Sequence, residues 1–185
     1  YPSLPGKDAS GLRKAVEQAR ETLLYLALLA YPLTPDEAEG FVRRLNMPTR
    51  WAATVRQAAA LRLQEGALAV PGLSRGRIFD LLKDYLPAAV QACALLAADG
   101  TAREHAQLYL SELRYVKTFL DGRAILRLGA VQGPLVGRLL KELQRRRLDG
   151  QVATKEEEVA FARKYLATSL PDNLVRPKAH PSTLR

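Results

Sequence analysis

Three basic side chains stand at a spacing suited to phosphate binding. Arg138, Lys141 and Arg145 fall at i, i+3 and i+7 after Pro134, so a helix there puts them on one face and Val136, Leu139, Leu140 and Leu143 on another. They belong to a larger local excess. Residues 114–148 also hold Arg114, Lys117, Arg123, Arg127, Arg146 and Arg147, nine basic residues against Asp121 and Glu142, so +7 of the chain's net +9 sits in this stretch. A charge excess this concentrated is the footprint of a polyanionic partner, although ordinary solvated faces also carry charge runs.

The loop before that helix carries a second signal. Residues 121–143 read DGRAILRLGAVQGPLVGRLLKEL. A short helix ends at Gly129, a tight turn follows, and Gly133-Pro134 opens the next helix with proline at its first position. Gly137 lies one turn in, where the missing side chain permits close backbone approach. Unpaired N–H groups and the helix dipole make such a start a phosphate site. Turn geometry and helix packing also account for these glycines.

Other reactive residue types lack the company that chemistry needs. His105 and His180 have no metal-ligand partner at useful spacing. Cys93, the one cysteine, lies in the apolar run PAAVQACALLAA and reads as a small core residue; no disulfide framework is possible, which suits a reducing compartment. Glu156-Glu157-Glu158 reads as an ordinary charged first helical turn. Trp51, on the helix opening at 49, reads as core rather than as a platform for base stacking.

The elements that position these residues are helical throughout. Apolar spacing near 3.6 dominates and no strand alternation is evident. Helices are expected near 9–31, 35–46, 49–66, 74–85, 87–99, 102–120, 123–128, 134–148 and 155–167. Leu12, Val16, Ala19, Leu23, Leu26 and Ala30 form the apolar stripe of the first, with Leu24, Leu28 and Leu29 extending its burial. Ala102, Ala106, Tyr109, Leu113, Val116 and Leu120 form that of the long helix 102–120, with Arg103, Arg114 and Lys117 on another side. Thr34, Thr101 and Thr154 each precede a glutamate by three residues, the capping-box spacing. Gly66, Gly100, Gly129 and Gly150 each follow a helical run, where a left-handed residue ends a helix. The fold class is all-α: a multi-helix bundle of about eight to nine helices, with a hairpin-like basic helix-turn-helix element near the C-terminus. A body domain over 1–99, a basic helical domain over 100–167 and an extended tail over 168–185 are expected, with a soft boundary at Asp99-Gly100.

Composition agrees with a helical, core-forming protein. The chain has 185 residues, 48% hydrophobic, and an isoelectric point near 9.9. The longest apolar run, LLYLALLAYPL at 23–33, is broken by Pro32 and is too short for a membrane span. No signal peptide is evident, so a cytoplasmic location is expected. The chain opens on Tyr1 rather than Met, as a piece of a longer protein would.

The segment DGRAILRLGAVQGPLVGRLLKELQRRRLDGQVATKEEEVAFARKYL resembles the C-terminal signature of bacterial tRNA nucleotidyltransferases (CCA-adding enzymes) and the related poly(A) polymerases. The matching positions are Gly122, Leu128, Gly129, Gly133, Pro134, Gly137, Leu139, Leu143, Gly150, Thr154 and Glu157. Upstream, LAYPLTPDEAEGFVRRLNMP, GRIFDLLKDYLPAAV and YLSELRYV are similar to the family's helical body, so the likeness runs from about residue 30, with motif content in 122–157. The longer members, with additional domains before the nucleotidyltransferase core, are the most similar. Two positions depart: Ala124 stands where the family has Asp, and Val131-Gln132 where Lys or Pro is common.

The resemblance implies a parent that adds CCA or adenosines to RNA 3′ ends, using nucleoside triphosphates and magnesium held by an Asp-x-Asp pair. No Asp-x-Asp occurs in this chain, nor the nucleotide-selecting Glu-Asp-x-x-Arg pattern. The resemblance therefore implies an RNA-docking body and tail without catalytic residues or a metal site, joined in cis to a head domain that does the chemistry. The expected partner is RNA, tRNA first, with no membrane. The expected contact residues are Arg114, Lys117, Arg123, Gly129, Gly133, Pro134, Gly137, Arg138, Lys141 and Arg145. A stand-alone nucleic-acid-binding helical domain, and a structural module that self-associates through Leu23–Leu33, are the alternatives.

Overall fold

The computed structural model describes residues 9–169. Among the described residues there are ten α-helices, one 3-10 turn and no strand. The all-α expectation holds. The expected tail and His180 lie outside the described residues, except that 168 and 169 continue the last helix. The chain divides into two compact units, the first ending at Tyr115 and the second beginning at Val116, rather than at Asp99-Gly100.

The first unit contains α1 (Ala9–Ala30), α2 (Pro35–Arg44), α3 (Thr49–Leu63), α4 (Glu65–Leu68), α5 (Arg75–Leu82), α6 (Pro87–Leu96), α7 (Gly100–Ser111) and the turn Leu113–Tyr115. Its centre is α6, which packs against α1, α3 and α7. Small side chains let these helices approach closely: Ala58 and Ala59 of α3, Ala89, Ala92 and Cys93 of α6, and Ala102 and Ala106 of α7 are all fully buried. Burial pushes the Cys93 thiol up, as befits a core residue.

One carboxylate ties the ends of four helices together. Glu65 Oε2 accepts the Tyr31 hydroxyl at 3.0 Å, and its Oε1 accepts the Ala98 N–H at 2.6 Å and the Asp99 N–H at 3.3 Å. Burial also raises the Tyr31 phenol well above its ordinary value. His105 Nδ1 lies 2.8 Å from the Leu68 carbonyl oxygen, so that nitrogen carries the proton and donates.

Several expectations for this unit need correcting. Along α1 and at Tyr31 just after it, the buried side chains among those described are Leu23, Ala27, Ala30 and Tyr31; Val16, Ala19 and Leu29 are exposed, because α3 and α6 cover the helix on a side shifted from the simple stripe, and the Leu12 side chain lies outside those described. Trp51 is 41% exposed rather than core. Gly66 lies inside α4 and Gly100 starts α7, so neither ends a helix. Asp99, not Thr101, caps α7: its carboxylate accepts the Thr101 and Ala102 N–H groups.

The second unit contains α8 (Gly122–Arg127), α9 (Pro134–Leu148) and α10 (Lys155–Ser169). Leu120, Ile125, Ala130, Leu139, Leu143, Ala162 and Leu166 form its core, flanked by Val136, Leu140, Phe161 and Tyr165. The expected helix 102–120 stops at Ser111. Beyond it, the Leu120 N–H donates to Glu158 Oε2 at 2.9 Å and the Val116 carbonyl accepts from Gln144 Nε2 at 3.4 Å. In place of helical partners one turn away, Leu120 and Val116 thus bond to side chains of α10 and α9. Leu113 and Leu120 are nevertheless buried, as the stripe predicted.

Capping boxes start α2 and α10 as expected. Glu157 Oε2 accepts the Ala153 N–H at 2.7 Å and the Thr154 N–H at 3.1 Å, while Thr154 Oγ1 accepts the Glu157 N–H at 3.2 Å. The Ala153 and Thr154 amides hold the Glu157 carboxyl below its ordinary 4.5, and those of Thr34 do the same for Glu37. A depressed folded pKa contributes stability that is present above the ordinary value and lost as pH falls through the lowered one. We therefore expect the melting temperature to fall on acidification below about 4.5, and Glu157→Gln to reduce that fall. A thermal melt at several pH values checks this; identical acid profiles for parent and variant would remove the capping assignment.

Candidate nucleic-acid interface

The second unit carries Lys117, Arg123, Arg138, Lys141 and Arg145, all exposed. α8 begins at Asp121, whose carboxylate accepts the Ala124 N–H at 2.7 Å. Ile125 anchors the helix in the core and Arg123 projects to solvent. The chain then reverses through two glycines. Gly129 has φ +100°, and Gly133 has φ +157° with ψ −168°, conformations that side-chain-bearing residues rarely adopt. Pro134 then occupies the first position of α9, and no side chain caps that helix start.

Between α8 and the first turns of α9 lies an open groove of about 450 Å³. Leu126, Val136 and Leu140 form its apolar floor, and Arg123, Gln132 and Gly133 stand on its rim. Gly137 also lines it. A Cβ built at Gly137 would meet nothing within 4 Å, so the chain's own packing does not require glycine there. The packing explanation for this glycine therefore fails within the described residues.

Arg138, Lys141 and Arg145 are exposed along α9, while Leu139 and Leu143 on the other face are fully buried. None of the three basic groups makes an ion pair among the described residues. The next two arginines differ. Arg146 pairs with Glu142 at 2.9 Å and lies 4.3 Å from the Phe161 ring centre. Arg147 pairs with the fully buried Glu158 at 3.2 Å and lies 4.0 Å from the Phe119 ring centre. The run Arg145-Arg146-Arg147 thus holds one solvent-facing cation and two that fasten α9 to its surroundings.

Neither Lys117 nor Arg114 lines this groove. Lys117 is exposed ahead of α8 in the second unit. Arg114 belongs to the first unit, with its guanidinium 5.0 Å from the Tyr115 ring centre, so it does not share a helix face with Lys117. Arg103 is held by a hydrogen bond to the Ala97 carbonyl at 2.8 Å. Glu156-Glu157-Glu158 is not an ordinary charged turn: Glu157 caps, Glu158 is buried, and Glu156 alone is exposed without a role in packing. The roles of Leu126 and Gln132 at the groove were not read from sequence, because helical spacing does not report which neighbours of a turn share a cleft.

Among the described residues no three His, Cys, Asp or Glu side chains are placed to hold a metal ion, and no helix is long and apolar enough to cross a membrane. In comparisons with known proteins, no family model, no curated protein and no solved structure matches this chain.

Proposed function

We propose that this chain is an RNA-docking helical module, the body and tail of a tRNA nucleotidyltransferase or poly(A) polymerase whose catalytic head is a separate domain in cis. The observation that carries the docking reading is the α9 face: three exposed cations without acidic partners among the described residues, beside an uncapped helix start and a groove-lining glycine that packing does not explain. The order of glycines, proline and capping threonine from Gly122 to Glu157 carries the family assignment, by resemblance. On this reading the chain has no catalytic residue of its own, tRNA is the partner, and magnesium and nucleoside triphosphates belong to the head, in the cytoplasm.

Such a face reads backbone phosphates and shape rather than bases. A salt titration of tRNA binding, with Gly137→Ala beside the parent, tests it. The parent should bind with a log–log salt slope of roughly −0.7 to −0.9 per phosphate contact. Alanine at an exposed helical glycine should stabilise the fold by about 0.5–1 kcal/mol. If RNA approaches the α9 start closely, the same change should weaken binding. A stabilised variant that binds as the parent does would separate Gly137 from the interface. Salt-independent or absent binding would favour self-association, for which Tyr25 and Leu29, exposed one turn apart on α1, are the available surface.

A further inference from the structure

We propose that the first unit holds a second anion site, a cleft that binds the phosphate of a nucleotide, either free or within an RNA chain. The cleft encloses about 460 Å³ between α1, α3, the start of α6 and the turn after α7, large enough for more than a lone phosphate. Three arginines reach it from three different elements: Arg20 from α1, Arg50 from α3 and Arg114 from the turn. None of them makes an ion pair among the described residues, although Glu17 and Glu21 line the same wall. Elsewhere in the molecule arginines do find carboxylates, as Arg56 does with Glu39 at 2.6 Å and Arg147 with Glu158. Guanidinium groups that line one cleft with no carboxylate partner among the described residues are suited to the forked hydrogen bonds that phosphate oxygens accept.

The rest of the lining narrows the ligand. Leu23, Leu24 and Leu86 supply an apolar side. Tyr115, 64% exposed with Arg114 against its ring, presents a flat surface of the kind on which a base stacks. Glu17 and Glu21 are acceptors for the amino groups that bases carry. The start of α6 borders the cleft with Leu86 and Pro87, without a side-chain cap, and its dipole adds to the positive field. A phosphate with an adjoining base matches this combination better than inorganic phosphate alone. The site shares no residue with the α9 groove, and the proposal does not rest on the docking reading.

Isothermal titration with AMP, and separately with a short single-stranded RNA, tests it on the full chain. Arg50→Gln with Arg114→Gln should weaken binding of the responding probe by roughly tenfold or more. Arg138→Glu with Lys141→Glu and Arg145→Glu should leave AMP binding intact. AMP binding lost in the double variant identifies a free nucleotide; RNA binding reduced in it, with no AMP binding by the parent, identifies a phosphate of the chain. Arg20→Gln, on an exposed turn of α1, reads the same cleft without disturbing the Arg114–Tyr115 stack, should the double variant melt early. If neither probe distinguishes these variants from the parent, the cleft is not a nucleotide site.

Discussion

Replacing Arg138, Lys141 and Arg145 together by glutamate is expected to cut tRNA affinity on the order of a hundredfold at low salt, because an exposed charge contact is worth up to about 1 kcal/mol and three are lost. The log–log salt slope should flatten by about two to three, one counterion release of roughly 0.7 to 0.9 for each contact. The melt should be unchanged. All three side chains are exposed and make no ion pair among the described residues, whereas Leu139 and Leu143, which hold α9 in place, are untouched. Glu156→Gln is the appropriate control, since Glu156 is exposed while Glu157 caps α10 and Glu158 is buried. A triple variant that binds tRNA like the parent across the titration would mean that the α9 face is merely solvated. Early melting would mean that the cations hold the fold, contrary to their exposure.

The parts legible in the sequence were those determined by local chemistry. α9 runs from Pro134 to Leu148, where proline, apolar spacing and the following Asp-Gly place it, and its basic face is exposed as the i, i+3, i+7 spacing requires. The capping boxes at Thr34 and Thr154 form from residues three apart, whereas the same spacing at Thr101 gives none because Asp99, two residues earlier, takes the cap. What was not legible depends on partners far along the chain. The apolar stripe through Leu113 and Leu120 runs on at helical spacing past Ser111, yet the helix stops there. Leu120 instead meets Glu158, a residue 38 positions later. For the same reason three consecutive arginines look equivalent in sequence and are not: Arg145 faces solvent, while Arg146 meets the Phe161 ring and Arg147 the Phe119 ring and Glu158, partners that only the fold brings near. Trp51 was misread because aromatic character alone does not say which side of α3 is covered.

Removing the Glu158 carboxylate is expected to be the most damaging single change in the second unit. Its side chain is fully buried, accepts the Leu120 N–H through Oε2 and pairs with Arg147 through Oε1. In Glu158→Ala the Leu120 amide loses its acceptor, and the Arg147 guanidinium, only 21% exposed as a side chain, loses its counterion. Breaking a buried pair from one side costs about 3–5 kcal/mol, because the remaining charge stays in a poorly hydrating place; partial exposure of Arg147 puts the expectation at about 3 kcal/mol. Arg147→Met alone leaves the fully buried Glu158 carboxylate without its counterion, so a comparable cost is expected, although the stem at 147 still covers Phe119 and the carboxylate keeps the Leu120 amide. The informative variant is the pair Glu158→Gln with Arg147→Met. Glutamine keeps an acceptor for Leu120 and removes the charge, so the double variant should lie closer to the parent than Glu158→Ala does. Denaturant unfolding followed by helix content measures all three. If Glu158→Ala unfolds at the parent's midpoint, the clamp between Leu120 and Arg147 contributes nothing to the stability of the second unit.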